Sequence, residues 1–152
     1  MRSSELINDK SSIARPATVL GDRWTLVILR QAFNGIKHFE EFQSSLDISR
    51  SLLSDRLAML VEEGILRREP YKDETRTRDR YRLTRKGLDL YPVLMAMKQW
   101  GDEYMADEGC FVITRHRDCG GEIGINVSCE RCGAEVGARD AYAEPGPGLK
   151  AG

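Results

Sequence analysis

The chain has 152 residues, 41% of them hydrophobic, which is enough for one folded domain with a small appendage and excludes a disordered chain. The longest apolar runs are too short to span a bilayer, and the first residues lack the apolar segment of a signal peptide. We therefore expect a cytoplasmic protein with reduced thiols and no membrane partner. The net charge of −1 excludes little, because the basic residues are concentrated in one stretch.

The first part of the chain predicts short helices. Residues 1–10 are polar and predicted to be frayed. A helix at 13–20 follows, with Pro16 in its first turn, where the missing N–H does no harm. Asp22 can cap the next helix, at 23–33, which is apolar around most of its circumference and therefore central. Aromatic residues then mark a third helix at about 38–45.

The stretch ISRSLLSDRLAMLVEE, residues 48–63, predicts a fourth helix with one apolar face (Leu53, Leu57, Leu60, Val61). Ser49 or Ser51 can cap its N-terminus, and Gly64 can end it in a left-handed conformation. Together with the preceding helix it forms a helix-turn-helix. Short hydroxyls and arginines suit base edges and phosphates. The DNA contacts predicted on this helix are Ser49, Arg50, Ser51, Ser54 and Arg56. The alternative is an ordinary amphipathic surface helix.

The following stretch, residues 65–86, is strongly basic. It holds nine basic and four acidic residues, a local net charge of +5. Extended patterns at 65–71 and 80–84 flank the charged tip KDETRTRD and predict a hairpin. A basic hairpin after a recognition helix is typical of a wing that contacts a phosphate backbone or minor groove. Its predicted DNA contacts are Arg67, Lys72, Arg76, Arg78 and Arg80. The alternative is a solvated loop with paired charges.

A long helix is predicted at about 85–105, capped by Thr84, and Pro92 is expected to bend it or to mark a weakly bonded turn. Its apolar residues cover more than one face, so it needs a second partner beyond its own domain. We expect that partner to be the same helix of a second copy, although burial wholly within one chain is the alternative. The predicted dimer contacts are Leu88, Tyr91, Leu94, Met95, Trp100 and Tyr104.

Residues 12–105 resemble the HxlR-type family of winged-helix transcription regulators, relatives of the MarR family. The resemblance is carried by LGDRWTLVILRQAFNGIKHFEEFQSSL, ISRSLLSDRLAMLVEEGILRRE and RYRLTRKGLDLYPVLMAMKQWGDEY. It implies a homodimer on a two-fold symmetric operator, with a recognition helix at 51–63 and a wing around 72–79. No triad, phosphate loop or carboxylate pair in the sequence predicts an enzyme. The resemblance assigns Trp24, Leu57, Leu60 and Gly64 to the core and its turns. Many relatives carry a cysteine before the first helix, whereas this chain reads SSIARP there, so thiol sensing at that position is excluded.

All four cysteines lie beyond residue 109. His116-x2-Cys119 precedes Cys129-x2-Cys132 by nine residues, and this spacing is typical of a zinc ribbon. Gly120 and Gly133 permit a tight turn after each pair, and apolar residues alternate between the pairs as in a short strand (Ile123, Ile125, Val127). The predicted cofactor is a structural Zn²⁺ held by His116, Cys119, Cys129 and Cys132. The alternatives are Cys110 in place of His116, a Cys129–Cys132 disulfide, or unused thiols.

The sequence thus predicts a mainly α (α+β) fold. A winged helix-turn-helix with a long C-terminal dimerisation helix is expected at 1–106, a zinc-ribbon-like β appendage at 107–138, and a loosely held Pro/Gly-rich tail at 139–152. The leading function is a homodimeric, sequence-specific regulator that binds a double-stranded DNA operator. The alternative is a metal- or thiol-redox-responsive regulator controlled by the C-terminal cysteines. Catalysis by a C-x2-C dithiol is disfavoured, because the βαβ setting is missing. A small-molecule effector is compatible with these residues, but none identifies it.

Overall fold

The computed structural model describes residues 3–150 and shows a mixed α+β architecture. Among these residues, no helix is long and apolar enough to cross a membrane. The elements follow in the order α1 (Ser3–Asn8), α2 (Ala14–Leu20), α3 (Arg23–Phe33), α4 (Phe39–Leu46), α5 (Arg50–Glu62), β1 (Leu66–Lys72), β2 (Thr77–Leu83), α6 (Arg85–Leu88), α7 (Tyr91–Tyr104), a 3₁₀ turn (Ala138–Asp140) and α8 (Pro147–Lys150). Most of the predicted frayed segment 1–10 is therefore the helix α1, and residues 1 and 2 lie outside the described part.

The core lies between α3, α4, α5 and the start of β1. Its fully or nearly fully buried side chains come from all four elements and the segments that join them (Ile28, Leu29, Phe42, Ile48, Leu53, Leu57, Leu60, Ile65, Leu66). Two of these belong to α3, as its apolar circumference predicts. Thr25 is the one buried polar residue among residues 4–149, and its hydroxyl donates to Asp22 Oδ2 at 3.0 Å. Packing in this core thus fixes the position of α5 relative to α3.

A short turn joins α4 to α5. Asp47 adopts a left-handed conformation with φ of 50°, which aspartate tolerates better than most residues. The Ser49 side chain then caps α5 by accepting a hydrogen bond from Leu52 N at 3.3 Å. Gly64, with φ of 72°, follows the end of α5. The predicted helix-turn-helix and its cap are confirmed.

Strands β1 and β2 form an antiparallel hairpin that runs in register from the Leu66–Leu83 pair to the Lys72–Thr77 pair. β1 has the predicted length but begins one residue later, whereas β2 is longer and the tip shorter than the sequence predicted. Asp73 explains the difference, because its Oδ1 accepts backbone hydrogen bonds from Thr75 and Arg76, both at 2.9 Å. An aspartate that binds its own turn in this way closes a tight loop.

The helix predicted at 85–105 is divided in two, because the chain forms α6 and α7 with a break between them, next to the residue where a bend or weakly bonded turn was predicted. Pro92 has no N–H to donate to the Leu88 carbonyl, so the α-helical pattern cannot pass this point intact. The predicted cap is confirmed, since Thr84 Oγ1 accepts from Gly87 N at 3.1 Å. The chain divides into two compact units at this break, one ending at Tyr91 and the other beginning at Pro92.

Within the second unit, residues 106–149 contain no buried side chain. The predicted strand at 123–127 is not formed. In its place, two isolated bridges join Arg115 to Glu122 and Ser128 to Glu135. This part of the chain is therefore organised by turns rather than by a hydrophobic core.

Candidate nucleic-acid interface

The N-terminal part of α5 presents a polar face to solvent. Ser49, Arg50, Ser51 and Ser54 are all exposed, whereas Leu53, Leu57 and Leu60 on the opposite face are fully buried. Asp55 is exposed as well and was not among the predicted contacts. A carboxylate can accept a hydrogen bond from the N4 amino group of cytosine, so residue type alone could have suggested it.

Arg50 is held in place without being neutralised. Its guanidinium carbon lies 4.9 Å from the centroid of the Phe39 ring, at the start of α4. Such a cation–π contact restricts the side chain while leaving its N–H donors available. Arg50 is therefore an exposed cation in a restrained position at the start of α5.

Arg56 differs from the other predicted contacts on α5. Its Nε lies 2.7 Å from Asp22 Oδ2, and both side chains are about one-third exposed. The same carboxylate caps α3 by accepting from Thr25 N at 3.0 Å. The hydrogen bond from Arg56 is the main reason why the pKa of Asp22 lies below its ordinary value. Arg56 thus links α5 to the start of α3.

Several arginines of the hairpin are also held by a carboxylate. Glu69 on β1 forms ion pairs with three arginines. Its carboxylate oxygens lie 2.6 Å from Arg80 Nη2, 2.5 Å from Arg82 Nε and 3.4 Å from Arg67 Nη1. The hydrogen bond from Arg80 is the largest cause of the lowered pKa of Glu69. Arg80 therefore stabilises the hairpin, and Arg67 keeps a largely exposed guanidinium.

The hairpin tip is organised around Asp73. The backbone N–H groups of Thr75 and Arg76 lower the pKa of Asp73 to about 2. Its other oxygen lies 2.6 Å from Arg78 Nε, and Arg78 Nη1 is also 3.2 Å from Glu40 Oε1 on α4. Arg78 is therefore half-buried between two acids rather than directed to solvent.

The remaining cations of the hairpin are exposed. Lys72 and Arg76 flank the tip, and no ion pair with either is found in residues 3–150. Arg68, which was not predicted as a contact, is exposed on β1 with its guanidinium carbon 6.0 Å from the centroid of the Tyr81 ring. The geometry thus separates the hairpin cations into a structural set (Arg78, Arg80, Arg82) and an available set (Arg67, Arg68, Lys72, Arg76).

The residues predicted for dimerisation are mostly accessible. Trp100 and Tyr104, on α7, are 60% and 67% exposed, with ring centroids 5.2 Å apart. Leu88 and Tyr91 are also exposed, and Leu94 is half-buried. Met95 lines a cleft of about 250 Å³ formed with residues 110–124, so it already has neighbours in its own chain.

The predicted metal ligands lie in two pairs. His116 Nδ1 is 3.4 Å from Cys119 Sγ. Cys129 and Cys132 are hydrogen-bonded to each other, and the backbone N–H of Cys132 is the main cause of the lowered pKa of Cys129. Across the described range, no three potential ligands are gathered around one point. Cys110, the alternative ligand, lines the cleft beside α7. The zinc assignment stays a prediction.

A helix-turn-helix followed by a basic hairpin defines the winged helix-turn-helix class of DNA-binding proteins. The model of the HxlR-like helix-turn-helix family matches residues 19–109. The chain belongs to this family, whose members are transcription regulators and not enzymes. The match confirms the resemblance noted in the sequence.

Relatives extend the match beyond the family domain. An uncharacterised HTH-type transcriptional regulator of Mycobacterium tuberculosis is 44% identical over 141 residues, covering 92% of this chain and 89% of its own. The crystal structure of PA1607, described as a candidate transcription factor, superposes with a TM-score of 0.83 at 34% identity, covering 92% and 98% of the two chains. The reduced redox regulator HypR superposes with a TM-score of 0.56 at 30% identity and covers 61% of this chain and 92% of its own.

The coverage distinguishes these relatives. The first two leave only 8% of the 152 residues, or about 12, unmatched, so the matched span includes residues 116–132. The family model ends at residue 109, before the first cysteine. Residues 110–136, which we call the cysteine-bearing segment, are therefore an addition to the family domain. The M. tuberculosis relative and PA1607 both match over this span.

Proposed function

We propose that the protein is a sequence-specific regulator that binds double-stranded DNA as a homodimer, with α5 in the major groove. The observation that carries this proposal is the division of α5 into a buried apolar face and an exposed face bearing Ser49, Arg50, Ser51 and Ser54. A helix of this kind fits the major groove, where arginine and hydroxyl groups can read base edges.

In this proposal the hairpin contributes affinity rather than sequence selection. Lys72 and Arg76 flank its tip, exposed and without an acid partner in residues 3–150. Lysine and arginine at phosphates release counterions, so they strengthen binding to any sequence and make it salt-dependent. Arg78 and Arg80 are already paired with acids and serve mainly to shape the hairpin.

The proposed dimer forms through the apolar residues that the single chain leaves exposed. On α7 these include Val93, Met97, Trp100 and Tyr104, each about half exposed or more. A monomer rarely exposes so many large apolar side chains on one short helix. Two copies would place two recognition helices about one helical turn apart on DNA. This supports a dimer, which sedimentation analysis of the purified chain tests directly.

A DNA-binding experiment distinguishes the role of α5 from that of the hairpin. Genomic fragments retained by the purified protein supply the specific DNA, and a scrambled duplex supplies the reference. We expect Arg50→Ala to weaken binding to the specific fragment at least tenfold and binding to the scrambled duplex much less. Arg76→Ala should weaken both equally and reduce the slope of affinity against salt by about one. Glu62→Ala, an exposed change at the far end of α5, is the matched control. Equal effects of Arg50→Ala on both duplexes would contradict the proposed division of roles.

A second candidate function is control of DNA binding by the cysteine-bearing segment. The Gln99 side chain on α7 donates to the Ile125 carbonyl at 2.8 Å and accepts from Ile125 N at 2.7 Å. The segment is thereby attached to a helix that we propose takes part in dimerisation. DNA affinity measured before and after mild oxidation tests this candidate, and an unchanged affinity would leave the segment a structural part.

A further inference from the structure

The cysteine-bearing segment contains the same turn twice, 13 residues apart. In the first, Gly120 N donates to the His116 carbonyl and His116 N to the Gly121 carbonyl, both at 2.8 Å. In the second, Gly133 N donates to the Cys129 carbonyl at 2.8 Å and Cys129 N to the Ala134 carbonyl at 2.9 Å. We call the two turns, residues 114–123 and 127–136, the first and second knuckle.

The match between the knuckles continues on both sides. Ile123 N donates to the Thr114 carbonyl at 3.0 Å, and Val136 N donates to the Val127 carbonyl at 2.9 Å. Gly120 and Gly133 have φ values of 72° and 73°. Each knuckle therefore carries its two ligand-type side chains at equivalent positions, the first and fourth of the turn.

The side chains of the first knuckle already have the geometry of half a metal site. With bonds of about 2.1 Å to nitrogen and 2.3 Å to sulfur, a tetrahedral centre separates two such ligands by about 3.6 Å. The observed distance from His116 Nδ1 to Cys119 Sγ is 3.4 Å. The other ring nitrogen, Nε2, lies 3.7 Å from Asp118 Oδ2, which is longer than a hydrogen bond. Gly121 N also donates to Cys119 Sγ at 3.4 Å.

We infer that the two knuckles close around a single tetrahedral Zn²⁺ held by His116, Cys119, Cys129 and Cys132. Three sulfurs and one nitrogen suit zinc and leave no position open for a substrate, so the ion is structural. Since the described residues show two separate pairs, closure accompanies binding. The nine-residue connection between Cys119 and Cys129 makes the entropic cost of that closure small.

A metal also accounts for how this segment is held together. Residues 106–149 bury no side chain, and Phe111 and Val127 are 87% and 67% exposed. A segment without a core gains its folding free energy from another source, which in small domains is commonly a metal or a disulfide. The inference concerns this segment alone and does not depend on the proposed DNA binding.

Zinc content of the full-length protein tests the inference. The protein is purified in reductant without chelator, its zinc is measured by elemental analysis, and release is followed as a mercurial reagent titrates the thiols. We expect about one zinc ion per chain. Zinc should be lost in Cys119→Ser and in Cys129→Ser. Cys110→Ser removes a thiol outside both knuckles and should retain the ion, which makes it the matched control.

Cobalt substitution gives a second measurement that does not depend on the variants folding. Co²⁺ added to the zinc-free full-length chain should produce the visible absorption bands of tetrahedral thiolate coordination, and Zn²⁺ should abolish them. Three outcomes of the metal measurements would overturn the inference. These are zinc at background level with no cobalt bands, zinc retained in Cys129→Ser, and zinc lost in Cys110→Ser but kept in His116→Ala. A Cys129–Cys132 disulfide in zinc-free protein kept under reductant would also overturn it.

Discussion

Removing the ion pair between Asp22 and Arg56 should destabilise the protein by amounts that the structure allows us to estimate. Asp22 caps α3 and also accepts a hydrogen bond from the buried Thr25 hydroxyl. Its carboxylate forms an ion pair with Arg56, whose Nε lies 2.7 Å away. Loss of an N-cap costs about 1 kcal/mol, and an unsatisfied buried hydroxyl costs about 1–3 kcal/mol. The ion pair is about one-third exposed, so solvent screening limits its own contribution to about 0.5–1 kcal/mol.

We therefore expect Asp22→Ala to lower the free energy of unfolding by about 3 kcal/mol and Arg56→Ala by about 1 kcal/mol. Asp22→Asn is the matched control, because asparagine still caps a helix but carries no charge, and it should cost about 1 kcal/mol. The Asp22→Ala and Arg56→Ala double variant should reveal a coupling energy of about 0.5–1 kcal/mol. Urea denaturation at one fixed protein concentration measures all four, since the dimerisation that we propose would make stability depend on concentration.

The pH dependence provides an independent check. The pKa of Asp22 is lowered in the folded state, so its stabilising effect is present above its ordinary pKa of 3.8 and is lost as pH falls through the folded value. The stability difference between the native chain and Asp22→Asn should therefore shrink below about pH 4.

If Arg56→Ala left stability unchanged but abolished specific DNA binding, Arg56 would be a base contact and our assignment of it as a structural link would be wrong.

Three further predictions concern single residues. Asp47→Gly should keep or raise stability and Asp47→Ala should lower it by about 1 kcal/mol in urea denaturation, because φ of 50° is strained for alanine; equal stabilities would contradict this. Asp73→Ala should speed amide hydrogen exchange at Thr75 and Arg76, whereas unchanged exchange would show that the tip holds without this carboxylate. Gln99→Ala should speed proteolysis within residues 107–138, and an unaltered cleavage rate would show that its two hydrogen bonds to Ile125 do not secure the segment.

Local patterns made much of the fold predictable. The bounds of α3 were predicted to the residue, and those of α5 to within two, because both helices carry a sustained helical repeat of apolar residues. The caps provided by Asp22, Ser49 and Thr84 were also predictable, because a cap acts on N–H groups only a few residues away. Patterns over a few residues were therefore sufficient to predict those parts of the structure that depend on contacts between residues close in the sequence.

The candidate site was less predictable, because several of its arginines form ion pairs with acidic residues that are distant in the sequence. Arg56 and Asp22 lie 34 positions apart, and Arg78 and Glu40 lie 38 apart, so no local pattern shows that these arginines are already engaged. Arg78 and Arg80 were predicted as DNA contacts because they belong to a basic hairpin that follows the recognition helix. A bend or weakly bonded turn at Pro92 was predicted from its missing N–H, but the strong apolar repeat around it concealed that the helix is divided in two.

We propose that two copies of the chain read DNA through the exposed face of α5. Hydroxyl-radical footprinting on a genomic fragment retained by the protein tests it most directly. We expect two protected half-sites about 10 base pairs apart, related by two-fold symmetry, and their loss when Arg50 is replaced by alanine. A single unpaired footprint, or protection that persists unchanged in Arg50→Ala, would contradict the account.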